Sequence, residues 1–498
     1  MHKFLFLLFP LYVFAQKDTL KEVRVEGIRS ELTSDPTKKV YQVGANLTNL
    51  GGNLFDVLSN IPSIYVTSDG NVNYRGNQNL TIYFDGKPAG ISSSSRANAL
   101  SLYPADQIDR IEIISNPGSK YSAEGSAGIL NIILKKGTKT ESLRINSNVG
   151  TNDKYAFSAT YTKGFKRWTH LVDVNLRQNI RNNYQYLYRE NSSAFGAALI
   201  VQTTNEVNRD YNQSIRLNSS YNFSKDRSLG ISFIGRLSSD HNSEIRYNTS
   251  EFVYAADRLY ARDADKKGRD FGFDLNLSYS PSANGKIDFL WIQNQGSDAN
   301  SFFQHYYFGD FETPNPNIPV RNERSSASSA NSTLLLQGDW TKSFAKRGIL
   351  EYGFKFNSRF FENDFLYEKQ KEGIYLRDAK RSNGLVYREH IQAAYVSYAY
   401  ENKYATLNTG LRAEATEIAG DIQQQYLNLF PSFSIVHPLS KSSNLSFALS
   451  SRITRPSYKS LNPFISFADP LNLNSGNPEL KPEKAFLYEL THTKDYAS

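Results

Sequence analysis

The chain has 498 residues, a net charge of +8 and no cysteine. The lack of cysteine excludes disulfides, thiolate metal sites and cysteine nucleophiles. Its 57 basic and 49 acidic residues are dispersed, without the lysine and arginine runs of a nucleic-acid surface, so no nucleic-acid partner is predicted. Hydrophobic residues make up 39% and aromatic residues 13%, which fits a water-soluble protein and equally an outer-membrane barrel with a polar lumen.

The N-terminus has the organisation of a secretory signal peptide. Lys3 supplies a positive charge, residues 4–14 are apolar, and the small Ala15 stands at the cleavage position. Residues 1–15 are therefore predicted to be a signal peptide, with a short buried helix as the alternative. No later stretch reaches the roughly 18 consecutive apolar residues of a membrane helix, so any membrane span is expected to consist of strands.

A polar leader and then a small α/β domain follow the signal peptide. Residues 16–49 are mostly polar and are predicted to be a mobile leader. Residues 53–60 have helical spacing of apolar side chains, begin with an asparagine at the cap position and are followed by a proline. Two apolar runs, 108–114 and 128–134, bracket a turn-rich stretch and are predicted to be buried strands. These features predict a compact domain over residues 50–137.

From residue 141 to residue 498 the apolar residues recur with a period of two. In one example, Val172, Val174 and Leu176 alternate with Asp173, Asn175 and Arg177. A soluble β-sandwich also alternates in this way. Segments longer than about ten residues, joined alternately by short and long connections, favour a transmembrane barrel. The short connections are expected at 164–166, 224–227, 344–347 and 401–403, and the long ones near 190–209, 240–267, 310–325, 367–386 and 454–484.

Few residues are arranged for chemistry. The seven histidines are far apart and none has metal-ligand spacing. Gly86-Lys87 lacks the other residues of a phosphate-binding loop. The sequence therefore predicts no catalytic residue, no metal site and no cofactor, and we expect that the protein is not an enzyme.

Charged residues on otherwise apolar strands are the main candidate site. Arg75, Arg110 and Glu112 lie among the strands of the small domain, and Arg412 and Glu414 lie on one alternating barrel strand. If the last two point inward, these five residues would form buried ion pairs between the small domain and the barrel wall. Solvated edge charges are the alternative.

Several segments resemble the plug of TonB-dependent outer-membrane receptors, and they occur in the order of that family: residues 53–62, 74–76, 82–86, 108–113 and 116–133. The resemblance is strongest to the Bacteroidetes-type outer membrane protein β-barrel family, which residues 476–483 and the run ending at Glu414 also resemble. It implies a mainly β protein, in which a small α/β plug domain (50–137) lies inside a transmembrane antiparallel β-barrel (141–498). It also implies the outer membrane of a Gram-negative bacterium.

The resemblance implies a receptor that takes up a scarce ligand, such as a siderophore, peptide or glycan, driven by the inner-membrane proton gradient. Its partners would be TonB with its inner-membrane energising complex, outer-membrane lipid and an extracellular ligand, with a surface lipoprotein as a further candidate. The TonB-contacting box would comprise Leu20, Glu22, Val23 and Val25, in the leader. Loop tyrosines suit sugars, peptides and catecholates alike: Tyr184, Tyr186, Tyr188, Tyr306 and Tyr307. The alternative is a surface binding or adhesion barrel that is never energised.

The number of strands is a further expectation. The alternating segments predict about 14 strands, the last near residues 486–493, whereas the family resemblance implies about 22. An open sheet in lipid would leave backbone groups unpaired at both edges. The barrel region is therefore expected to be incomplete at its C-terminal end, lacking about 8 strands, and unable to insert stably as it stands.

Overall fold

The computed structural model describes residues 38–43, 52–67, 71–88, 100, 103, 105–135, 141–151, 153–190, 197–252, 258–307, 321–344, 348–440, 442–464, 466–469 and 472–494. The predicted signal peptide and the four predicted box residues, Leu20, Glu22, Val23 and Val25, lie outside the described residues.

Within the described residues, seven strands and the helix α1 make up most of the N-terminal domain. Its elements are β1 (Lys39–Gln42), α1 (Leu54–Ser59), β2 (Ile64–Val66), β3 (Val72–Tyr74), β4 (Thr81–Phe84), β5 (Lys87–Pro88), a 3₁₀ turn (Ala105–Gln107), β6 (Ile108–Ile114) and β7 (Ile129–Leu134).

Helix α1 begins where its sequence predicts. The Asp56 amide donates to Asn53 Oδ1 over 3.1 Å, and the Asn53 amide donates to Asp56 Oδ2 over 2.9 Å, which completes a capping box. Leu54, Val57 and Leu58 are fully buried. The cap and the apolar spacing together confirm the predicted helix.

The five-stranded sheet of this domain has the order β1-β6-β7-β4-β5. Strands β4 and β7 run parallel, and the other neighbours are antiparallel. Strands β6 and β7 are central and almost wholly buried, as expected for two apolar runs without polar alternation. Strand β1 pairs with β6 at one edge, so the sheet includes residues 39–42 of the range that was predicted to be leader.

The second part of the chain is one long antiparallel sheet, here called the wall. Its strands are β8 (Ser142–Gly150), β9 (Lys154–Phe165), β10 (Trp168–Glu190), β11 (Ala197–Asn222), β12 (Ser228–Phe252), β13 (Arg258–Ser282), β14 (Gly285–Tyr307), β15 (Arg321–Phe344), β16 (Gly348–Lys371), β17 (Ile374–Arg377), β18 (Asn383–Glu401), β19 (Thr406–Gly420), β20 (Gln424–Ser440), β21 (Ser443–Thr454) and β24 (Glu483–Lys494). Helix α2 (Tyr458–Leu461) and a separate hairpin, β22 (Ser466–Asp469) with β23 (Asn472–Asn474), follow β21. None of the helices in the described ranges is long and apolar enough to cross a membrane.

In the part of the chain that the structure describes, fourteen wall strands follow one another from β8 to β24, each paired with its neighbours along the path, and β17 pairs with β16 beside this path. This confirms the predicted strand number, and the last strand lies where it was expected. Within the described residues, β8 and β24 are the two edges of the sheet and do not pair with each other.

The two faces of the wall differ in polarity. On β10, Val172 is 40% exposed and Leu176 46% exposed on the outside, whereas Asp173 between them is completely buried. A soluble sandwich would bury its apolar face instead. The wall therefore has the outward apolar face and polar interior of a transmembrane barrel.

Two of the predicted long connections, 190–209 and 240–267, are shorter than expected, because strands continue into them. Strand β11 begins at Ala197, inside the predicted connection 190–209. Strand β12 ends at Phe252 and β13 begins at Arg258, both inside the predicted connection 240–267. A β-ladder pairs its backbone groups whatever its side chains are. Where a strand extends past the apolar band of the barrel, its outward side chains no longer have to be apolar. The period-two pattern in the sequence therefore ends before the strand does.

Candidate functional site

The N-terminal domain is attached to the wall through its segment between β6 and β7. Residues 116–126 of this segment, here called the anchor segment, lie against β19, β20 and β21. The Gly125 amide donates to the Ile453 carbonyl over 3.0 Å, and the Ile453 amide donates to the Ala123 carbonyl over 3.0 Å. Glu124 and Ile453 thus form a parallel bridge. The anchor segment is bound to β21 through backbone as well as side chains.

A buried cluster of charges surrounds this bridge. The Glu414 side chain is completely buried and accepts hydrogen bonds from Arg412 Nε over 2.6 Å and from Arg455 Nη2 over 2.8 Å. The Ala123 amide also donates to it, over 3.2 Å. Arg455 Nη1 reaches Glu124 Oε2 over 2.9 Å. Arg455 therefore joins a carboxylate of the N-terminal domain to a carboxylate of the wall.

A second arginine holds the anchor segment by its carbonyls. Arg452 is 2% exposed. Its Nη2 donates to the Glu124 carbonyl over 2.7 Å and its Nε donates to the Gly125 carbonyl over 3.2 Å. Such charge-assisted hydrogen bonds in a buried site are stronger than neutral ones. Arg412, Glu414, Arg452, Arg455 and Glu124 together form what we call the ion cluster.

Smaller polar contacts continue along the same side. Arg75 Nη1 lies 3.3 Å from Glu489 Oε1 on β24, and Asn116 Nδ2 donates to the other oxygen of Glu489 over 2.7 Å. The hydroxyls of Ser119 and Ser432 are 2.8 Å apart. A small apolar cluster of Ala123, Phe430 and Ile453 is also buried here.

A different arrangement is found where the N-terminal domain faces β10 to β15. A cavity of about 1610 Å³ lies between them. At the border of this cavity, Lys87 Nζ lies 2.9 Å from Asp288 Oδ1 on β14 and also donates a hydrogen bond to Asn276 on β13. Gln107 donates to the buried Asp173 on β10. Burial lowers the pKa of the Lys87 ammonium, and the charge of Asp288 offsets part of this effect.

The predicted pairing residues are only partly brought together. Arg75 does contact the wall, and Arg412 and Glu414 form the centre of the ion cluster. Arg110 and Glu112 do not reach Arg412 or Glu414: Arg110 Nε binds Glu112 Oε1 over 3.0 Å, and Lys38 Nζ binds the same oxygen over 2.7 Å. Residues two apart on a strand lie on the same face, so these two partners meet each other within the N-terminal domain.

Burial alone would raise the pKa of Glu112, but hydrogen bonds from Lys38 and Asn131 and the charge of Lys38 outweigh it and lower that pKa. Glu112 thus acts within the N-terminal domain, where it secures the edge strand β1 that follows Lys38.

Sequence reasoning missed Arg452, Arg455, Lys87 and Asp288 as interface residues. Arg452 lies near the end of β21 and Arg455 directly follows that strand; charges at the end of an alternating run are a local signal that could have identified them. Lys87 was considered only as part of a phosphate loop. The five tyrosines that were predicted to lie in loops are on strands instead. Tyr184, Tyr186 and Tyr188 are exposed on β10, and Tyr306 and Tyr307 are the last two residues of β14, with side chains outside the described part.

No group of three or more histidine, aspartate or glutamate side chains within the described residues could hold a metal ion. The candidate site is made of the contacts between the N-terminal domain and the wall, with the polar cavity beside them.

Comparison with known families assigns both parts of the chain. Residues 42–129 match the TonB-dependent Receptor Plug Domain family, and residues 286–497 match the Outer membrane protein beta-barrel family. No curated protein matches the chain.

Solved structures with the same fold include the copper transporter OprC, with 15% identity and a TM-score of 0.60 over 93% of this chain. They also include the ferripyoverdine receptor of the outer membrane of Pseudomonas aeruginosa, with 12% identity and a TM-score of 0.57 over 92%. The RagAB peptide importer has 10% identity and a TM-score of 0.59 over 92%.

The chain spans 70%, 61% and 64% of the length of these three chains. At such identities the likeness shows the fold alone, and it agrees with the plug beside an antiparallel wall. The chain belongs to the TonB-dependent outer-membrane receptors, with an N-terminal plug domain and an outer-membrane β-barrel.

Proposed function

We propose that this receptor takes up a scarce extracellular ligand and that TonB, energised by the inner-membrane proton gradient, releases its plug. The observation that carries the proposal is the polar character of the plug-to-wall contact. Among the described residues, ion pairs and hydrogen bonds predominate beside a small apolar cluster. A polar interface exchanges its contacts for water when it separates, whereas an apolar one loses its burial without replacement. Such an interface suits a plug that is displaced and returns.

The position of β1 supports a pull from the N-terminal side. The predicted leader runs into β1, which within the described ranges is the edge strand next to β6. Tension on the leader would reach this strand before the rest of the plug. TonB contact through a box at Leu20, Glu22, Val23 and Val25 would apply that tension, with the box added as a strand to the edge of a TonB sheet.

The cavity favours a polar ligand. Of its lining side chains seven are basic and six acidic, and most others are hydroxyls and amides. This mixture does not select for one sign of charge, and it suits a peptide, a glycan or a polar siderophore. The similar solved structures are those of a copper transporter, a ferripyoverdine receptor and a peptide importer, and these do not indicate one ligand for this chain. A surface lipoprotein remains a candidate partner for capture.

The first prediction concerns the box. Replacing Val23 or Val25 with proline removes a backbone donor from the added strand, so uptake is expected to be abolished while binding at the cell surface is unchanged. The matched controls are Val23→Ala and Val25→Ala, which keep the amide and are expected to retain uptake. Uptake is measured with the iron, peptide or glycan source on which a strain that lacks this receptor no longer grows.

Uptake that persists in both proline variants would contradict the box and favour the alternative of a barrel that binds ligand without being energised. Loss of uptake in the alanine controls as well would indicate that the side chains, and not the backbone strand, make the contact.

A further inference from the structure

The outward face of β13 changes from apolar to basic along the strand. Side chains alternate between the two faces of a strand, and the even-numbered residues from 270 to 278 line the interior cavity. The odd-numbered residues from Phe271 to Tyr279 point outward, and each of them is aromatic or a leucine. The next two outward residues are Arg269 and Lys267. The apolar stretch therefore ends directly in two cations.

This change lies at the extracellular edge of the membrane band. Residues 271–279 span about 27 Å of strand, which is about 21 Å of height at the tilt of such barrels and close to their apolar band of roughly 25 Å. At its other end β13 leads from Ser282 into the short connection to β14, and short connections face the periplasm. Arg269 and Lys267 therefore lie where the headgroups of the outer leaflet begin.

Two more basic residues continue this level on the neighbouring strands. His241 of β12 is the direct partner of Lys267, and Arg209 of β11 is the direct partner of His241. Both alternate with residues that line the interior cavity, Asp210 and Asp240, so they point outward as well. Arg209, His241, Lys267 and Arg269 together are here called the basic rim.

The basic rim is only partly neutralised by the protein itself. Asp265 lies 3.1 Å from Lys267 Nζ and also contacts His241 Nε2. Within the described part of the chain, the guanidinium groups of Arg209 and Arg269 have neither an ion pair nor a hydrogen bond. A guanidinium group presents a fork of donors that fits the oxygens of a phosphate. The basic rim can therefore bind a phosphate from outside the protein.

A groove with a floor of small side chains begins beside Arg269. Two hollows of about 690 and 660 Å³ meet there, and Arg269, Ser297, Ser328 and Asp364 line both of them. These four residues are successive cross-strand partners, so Asp364 is about 14 Å from Arg269 by the usual strand spacing. Glu362 lies on the side of Asp364. A cation at one side and carboxylate acceptors at the other suit a phosphorylated sugar, whose hydroxyls donate hydrogen bonds.

The groove is continuous with the apolar band. Tyr211, Leu237 and Phe271 line the first hollow and are 41%, 52% and 47% exposed on the outward face. Acyl chains attached to a sugar in the groove would cover these side chains, whereas a soluble anion would leave them exposed. The surface therefore fits an amphiphile with a phosphorylated sugar head.

We propose that the basic rim and the groove bind lipopolysaccharide, the phosphorylated glycolipid of the outer leaflet. Its phosphates would contact the arginines and the lysine of the basic rim, its sugar would lie between Arg269 and Asp364, and its acyl chains would follow Leu237 and Phe271. This site is on the lipid-facing side of the wall, away from the plug. It goes beyond the proposed function, because it assigns the receptor a lipid partner and needs neither TonB nor an uptake ligand.

The test measures the dissociation constant of fluorescent diphosphoryl lipid A, the anchor of lipopolysaccharide, for the full chain in detergent. The double variant Lys267→Gln/Arg269→Gln is expected to bind about twentyfold more weakly, because each basic residue beside an anionic headgroup contributes about fivefold. The matched control is Lys225→Gln/Arg227→Gln, at the short connection between β11 and β12, with unchanged binding. Both double variants remove two exposed cations, so they should fold alike.

A third variant changes the affinity in the opposite direction. Asp265→Asn removes the carboxylate beside Lys267 and is expected to tighten binding about two- to fivefold, the range for an exposed ion pair. Lipid A without phosphates should bind weakly to all variants, and neither phosphatidylglycerol nor inorganic phosphate should displace diphosphoryl lipid A at equal concentration. Equal affinities of the two double variants, weaker binding to Asp265→Asn, or displacement by either competitor would overturn the proposal.

Discussion

Replacement of Glu414 with alanine is expected to detach the anchor segment from the wall. Arg412 and Arg455 both bind this carboxylate, and all three side chains are at most 3% exposed. Removing one partner of a buried ion pair costs about 3 to 5 kcal/mol, because the remaining charge stays buried without compensation. Here two guanidinium groups lose a partner at once, although Arg455 keeps Glu124.

The measurement is protease resistance of the plug in isolated outer membranes, together with the temperature at which the receptor unfolds. Glu417→Ala is the matched control, since Glu417 is on the same strand but exposed. Glu414→Gln should lie between the two, because the amide oxygen still accepts one of the hydrogen bonds. Equal protease resistance of Glu414→Ala and Glu417→Ala would contradict a structural role for the ion cluster.

The second large effect is expected from Gly125→Val. Gly125 has a φ of +94°, and its Cβ position lies against Thr81 Oγ1 and 3.0 Å from the Asn79 carbonyl. A β-branched residue is strained at such a φ, and holding one there costs about 1 to 3 kcal/mol before any collision is counted. The bridge between Glu124 and Ile453 should therefore be lost, and with it the hydrogen bonds from Arg452.

The chain offers a close control in Gly118→Val. Gly118 belongs to the same anchor segment, has no left-handed φ and has open space around its Cβ position. We expect a protease-sensitive plug and a lower amount of receptor in the membrane for Gly125→Val, with both unchanged for Gly118→Val. If the two variants behave alike, close packing at Gly125 does not hold the anchor segment.

Local patterns were sufficient for much of the fold. The apolar run 108–114 coincides with β6, and the run 128–134 differs from β7 by one residue. A continuous apolar run identifies a buried central strand even when its neighbouring strands are not known. The number of wall strands followed from period-two alternation. The strand ends did not, since β11, β12 and β13 continue as polar ladders.

Contacts between plug and wall were harder to predict. Arg412 and Glu414 were identified because alternation places them on the polar face of their strand. Arg455, which binds Glu414, is 41 residues from it in the sequence, and Glu124, the other carboxylate that Arg455 binds, is 331 residues from Arg455. Nothing in the local sequence relates such distant positions. For the same reason Arg110 and Glu112 were assigned to the wall, although each has a nearer partner within the plug.

The central claim is that TonB displaces the plug, and thiol labelling in cells tests it most directly. Gln107 is 5% exposed, at the contact between plug and wall, so Gln107→Cys places a single buried thiol there. We predict that a maleimide labels this residue at least roughly tenfold faster in energised cells, a difference of about 1.4 kcal/mol in the opening equilibrium. The faster labelling rate should disappear when the proton gradient is collapsed, and also when Val23→Pro is combined with Gln107→Cys. Equal labelling rates in energised, collapsed and Val23→Pro cells would contradict the account.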